Sequence, residues 1–74
     1  MRQLRIGALG RIAAGDDAGR FVEVVDDSEC SGGFLILTYD TAHRSGNAYD
    51  SWVESIVDVN LYFDESRWEV EWLE

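Results

Sequence analysis

The sequence predicts an α+β fold, a small antiparallel sheet of four to five strands with one short helix packed on one face, in the order β-β-β-(β)-α-β. Three observations predict it. Short runs of strand-like alternation are separated by Gly- and Asp-rich turns, a helix-start pattern sits at Ser55, and 74 residues provide for one domain spanning 1–74. A chain of this length buries roughly 60% of the surface that its unfolded state exposes, which leaves no room for a substrate domain beside a scaffold. Hydrophobic residues make up 46% of the chain and charged residues 28%, a globular rather than a disordered balance.

Leu4, Ile6 and Ala8 alternate with Arg5, Gly7 and Leu9, which predicts a first strand near residues 3 to 12. Gly15-Asp16-Asp17-Ala18-Gly19 has turn composition, because Gly supplies positive φ and Asp bonds its own backbone. Arg20 to Val25 then reads as a second strand, so the first two form a hairpin. Asp26 to Gly33 is a polar connection. It leads into Phe34-Leu35-Ile36-Leu37-Thr38-Tyr39, apolar on both alternating faces and therefore expected at the sheet centre under a covering helix. Residues 40 to 48, with Ser45-Gly46-Asn47, read as a loop, and Tyr49 to Val53 as a short strand.

Two periods compete between Ser55 and Ser66. Ser55 with Asp58 three residues later is a capping pattern that places Ile56, Val59 and Phe63 on one helical face. The rival is a strand in which Val57, Val59, Leu61 and Phe63 alternate with Asp58, Asn60 and Tyr62. The helix is favoured, since the capping pattern gives it a start and a small sheet needs a cover. In the last segment Trp68, Val70 and Trp72 alternate with Glu69 and Glu71, a strand with one aromatic and one acidic face.

Six Arg, no Lys and fifteen Asp plus Glu give a net charge of −9. The charge balance argues against direct binding to nucleic-acid backbones or anionic lipid, because both reward clustered positive charge. The imbalance is uneven: residues 1 to 20 hold four of the Arg and net +2, whereas residues 21 to 74 net −11. Such a surface keeps the chain soluble, and it steers a basic protein or a cation toward it. Cys30 is the only cysteine, so no internal disulfide forms and a reducing, cytoplasmic location is expected. No apolar run has the length of a signal peptide core or a membrane span.

Catalytic and metal motifs are sparse. Gly10-Arg11-Ile12-Ala13-Ala14-Gly15 is followed by Asp16 rather than the Lys of a phosphate loop, and the dinucleotide pattern does not occur. Cys30 and His43 are too few for structural zinc in a monomer, and a nucleophilic Cys30–His43 pair competes with the simpler view of a turn cysteine and a solvated histidine. Asp16-Asp17, Asp26-Asp27 and Asp64-Glu65 lack the calcium-loop order. No enzyme activity, metal or cofactor is expected.

Binding features are stronger. Three Trp are many for so short a chain, and Trp serves both cores and interfaces. Trp68 and Trp72, on one face with Val70, are assigned to the core, whereas Trp52 stands at a loop edge and is open to a partner. Glu69 and Glu71 project together and, with Asp64, Glu65 and Glu74, are placed to form an acidic patch; a solvated outer face that blocks edge aggregation is the alternative. The candidate partner-binding residues are Glu69 and Glu71, then Asp50, Trp52, Asp26 and Asp27.

The segments Gly32-Gly33-Phe34-Leu35-Ile36-Leu37, Tyr49-Asp50-Ser51-Trp52-Val53-Glu54-Ser55, Tyr62-Phe63 and Trp68-Glu69-Val70-Glu71-Trp72 resemble the small acidic immunity proteins of bacterial polymorphic and contact-dependent toxin systems. The resemblance covers roughly residues 32 to 73 and assigns no individual functional residue. It implies a cytoplasmic, non-catalytic inhibitor that binds a cognate toxin domain, often a basic nuclease. An alternative from another class is an acidic nucleic-acid mimic, or a small regulatory subunit, that docks on a housekeeping nucleic-acid-binding protein. Breadth separates the two, since an immunity protein holds one cognate toxin and a mimic competes with nucleic acid. An exposed edge strand leaves monomer and dimer both open.

Overall fold

A computed structural model describes residues 4–44 and 48–74. Among the described residues five strands form one sheet: β1 (Leu9–Ala14), β2 (Phe21–Asp27), β3 (Gly33–Tyr39), β4 (Tyr49–Val53) and β5 (Glu69–Trp72), with one helix, α1 (Ile56–Ser66), between the last two. The order across the sheet is β4-β3-β2-β1-β5, and every neighbouring pair is antiparallel. The first four strands meander. The chain then crosses one face through α1 and lays β5 beside β1 at the far edge, so the expected α+β sheet with one helical cover is the fold observed.

The helix starts where its capping pattern predicts. Ser55 is extended (φ −147°, ψ 168°), and its hydroxyl accepts from the Asp58 backbone N–H at 3.3 Å and donates to Asp58 Oδ2 at 3.1 Å. Arg67 ends it in the left-handed conformation at φ 56°, and the Trp68 N–H donates back to the Phe63 carbonyl at 3.1 Å. Val59 and Phe63 are buried, as the helical period requires, while Ile56, the first residue of the helix, is exposed.

The core lies between α1 and the sheet. Ile12, Val22, Val24 and Ile36 rise from three strands to meet Val59, Phe63 and Trp68. Trp68 meets Phe63 edge-on, with centroids 5.0 Å apart, and its Nε1 donates to the Asp16 carbonyl at 2.6 Å. The β1–β2 turn is held there a second time, by Asp16 N–H donating to the Ser66 carbonyl at 2.9 Å. Gly15 (φ 100°) permits that contact, because a Cβ at this position would strike the Arg67 carbonyl.

The start of the first strand and the centre of the sheet differ from the sequence expectation. The first strand begins at Leu9 rather than near residue 3: the chain turns at Gly7 (φ 84°), whose N–H donates to the Val24 carbonyl at 2.7 Å, and Gln3 lies outside the described residues. The doubly apolar β3 is interior, but the middle of the sheet is β2. Residues 40–44 carry no helix or strand, as expected of a loop, while Ser45-Gly46-Asn47 lies outside the described residues.

Candidate functional site

Strand register sorts the sheet into two faces. One, carrying Gly10, Ile12, Val22, Val24, Ile36 and Val70, is closed by α1. The other brings Glu71, Arg11, Phe21 and Tyr39 into one row, Glu23, Leu37 and Asp50 into a second, and Val25, Leu35 and Trp52 into a third, with Asp27 opposite Gly33 at the end. Glu71, Asp50, Trp52 and Asp27 therefore share this open face, and alternation along β5 puts Glu69 beside Glu71. Asp26 pairs with Phe34 and points to the opposite side.

Sharing a face does not make these residues one cluster. Glu69 and Glu71 lie on β5 and Asp50 and Trp52 on β4, the two edges of a five-stranded sheet, four strand spacings or roughly 19 Å apart. Asp64 and Glu65 belong to the helix, on the other side of the sheet. The basic N-terminal strand and the acidic C-terminal one pair within the chain: Arg11 lies 3.7 Å from Glu71. A second arginine ties down the open face from the loop after β3. Arg44 Nη2 donates to Glu74 Oε1 at 2.9 Å and its Nε to Glu23 Oε1 at 3.1 Å, where the Tyr39 hydroxyl also donates, at 3.3 Å.

These contacts set the local electrostatics. The Leu9 N–H, 3.0 Å from Glu74 Oε1, and then Arg44 hold the Glu74 carboxyl below its ordinary range. Partial burial, then the Glu23 carboxylate, pushes the Tyr39 hydroxyl up. Asp26 is held below its ordinary range by hydrogen bonds from Ser28, first from its side chain and then from its backbone N–H, which donates to Asp26 Oδ1 at 3.0 Å.

Trp52 is half exposed and held from both sides. Its Nε1 donates to Ser31 Oγ at 2.9 Å, and its ring crosses the face of Gly33. Residues Asp26 to Cys30 line a hollow of about 260 Å³. Cys30 and His43 stand at opposite ends of β3, a separation of roughly 20 Å that rules out a nucleophile pair. Among the described residues no group of three or more His, Cys, Asp or Glu is placed to hold a metal ion.

A second concavity, of about 320 Å³, lies between β4 and α1 and was not singled out from the sequence. Its apolar surface comes from Val53, Leu61 and Tyr62 with Trp52 at the margin, and its charged surface from Glu54, Asp58 and Glu65. Tyr62 is fixed there by a 3.2 Å hydrogen bond between its hydroxyl and Ser51 Oγ. Once α1 is helical, Asp58, Leu61 and Glu65 fall at spacings of three and four on one side, a signal that the competing strand period obscures.

Among the described residues no helix is long and apolar enough to cross a membrane. Comparison with protein-family models, with curated proteins and with solved structures finds no match for this chain.

Proposed function

We propose that this protein is a non-catalytic inhibitor that binds a basic protein partner through an acidic surface, in the manner of a cytoplasmic immunity protein neutralising a cognate nuclease-like toxin domain. One observation carries this reading: fifteen carboxylates face six arginines, and Arg11, Arg20 and Arg44 are already engaged with Glu71, Asp40, Glu23 and Glu74. The excess negative charge is spread over the strands, the turns and the helix of a chain that has no lysine. A nuclease site is shaped to attract phosphate, so a fixed array of carboxylates competes for it and speeds encounter by long-range attraction. The half-exposed Trp52 adds an aromatic anchor of the kind that carries binding energy at interfaces.

The test begins with the open reading frames flanking the gene. A small basic domain encoded beside it is co-expressed with this chain, and growth rescue and co-elution are measured. Rescue with a one-to-one complex supports inhibition by binding. A toxic neighbour that this chain neither binds nor silences overturns it, as does a complex that forms equally with unrelated basic proteins.

A further inference from the structure

We infer that the groove between β4 and α1 is a docking site for an arginine side chain presented by a basic segment of the partner protein. The inference rests on the proposed function and names the surface that performs it. The groove offers an apolar floor, Val53 and Leu61, and a tyrosine ring whose hydroxyl is anchored to Ser51. Leu61 is 49% exposed and Trp52 50%, so an apolar strip remains open to a partner. Around the strip stand Glu54, Asp58 and Glu65, and among the described residues no ion pair reaches any of the three.

That combination selects one kind of occupant. Asp58 and Glu65 are seven residues apart on the helix, about 10 Å along its axis, too far to share a metal ion but within the span of an extended arginine and its neighbours. An arginine stem packs on apolar carbon while its guanidinium, weakly hydrated and planar, forks onto carboxylates and stacks on an aromatic face. A phosphate or an acidic peptide is repelled. On the open face Glu71, Glu23 and Glu74 already hold Arg11 and Arg44, while Asp50 and Glu69 stand on opposite edges of the sheet.

The probe is the acetylated and amidated tetrapeptide Leu-Arg-Leu-Arg, titrated into the full chain at low salt and followed by backbone and indole amide shifts in NMR. Its control is the same peptide with citrulline, a neutral isostere, in place of arginine. The expected result is a saturable shift confined to Val53, Leu61, Tyr62 and the Trp52 indole, with none from the citrulline peptide. The double variant Glu54→Gln/Glu65→Gln weakens binding about tenfold, while Glu69→Gln/Glu71→Gln, which removes the same charge from the far edge, changes it less than about twofold. All four side chains are exposed, and the spectra themselves report that each variant is folded.

Shifts that map to Val25, Leu35 and Leu37, or equal weakening by the two double variants, overturn the groove assignment and leave inhibition by an acidic surface standing. No saturable shift from the arginine peptide at any salt concentration overturns the groove, while growth rescue decides the proposed function separately.

Discussion

The indole of Trp52 occupies the space in which a side chain at residue 33 would stand. A Cβ on Gly33 would lie 2.6 Å from Cε2 and Cζ2 of the ring and would strike the Val53 carbonyl, while the ring's Nε1 reaches Ser31 Oγ at 2.9 Å. Trp52 is thus an exposed aromatic with a defined orientation, and that lowers the entropy a partner must remove to bind it.

Replacing Gly33 by Ala displaces the ring. The expected cost is about 1 to 3 kcal/mol, because overpacking here meets backbone as well as side chain. Urea unfolding gives the loss, and the indole N–H resonance of Trp52 shifts. Ser31→Ala, by contrast, frees the indole with little change in stability.

Gly15→Ala is the more damaging glycine change. At φ 100° the new Cβ would lie 2.7 Å from the Ser66 carbonyl oxygen and closer still to the Arg67 carbonyl, separating the β1–β2 turn from the end of α1. A loss of more than about 3 kcal/mol is expected in chemical denaturation.

Ser55→Ala removes the cap of α1 and costs about 1 kcal/mol. Ser55→Asp retains an acceptor beside the helix N-terminus and recovers most of it, although it brings a second carboxylate near Asp58. Comparing the two unfolding midpoints separates the hydrogen bond from the loss of volume.

Stability falls in acid through specific carboxyls. Glu74 and Asp26 have folded pKa values below their unfolded ones, so their contributions are present above the ordinary carboxylate range and are lost as pH drops through the depressed values. Glu74→Gln should therefore be less stable than the parent at neutral pH, and the difference should shrink as pH falls through the depressed Glu74 value. Tyr39 runs the other way: its raised pKa makes its contribution full at neutral pH and lost in strong alkali, and Tyr39→Phe removes that alkaline component.

Much of the fold is legible from local pattern. The Ser55–Asp58 pair decides the one ambiguous segment, and the two-residue period of Glu69–Trp72 marks β5 directly. The first strand is misplaced because alternation through Leu4, Ile6 and Ala8 continues past Gly7, where the backbone turns and a single sequence shows no break. The contact of β5 with β1 joins residues about sixty positions apart, and nothing in either segment announces it. The same cause divides the expected partner-binding residues: Glu69 and Glu71 go to one edge, Asp50 and Trp52 to the other. The groove is less legible still, since its walls come from two elements. The 58–61–65 spacing has meaning only after the segment is known to be helical and to lie against β4.

The most direct measurement is the association rate of this chain with a basic toxin domain identified by the co-expression test above, followed across a salt series for the parent and for Glu54→Gln/Glu65→Gln. Fast association that slows steeply with salt, and a double variant that both associates more slowly and dissociates faster, is the expected result. A rate indifferent to salt, or a double variant that behaves as the parent does, would contradict recognition through the acidic β4–α1 groove.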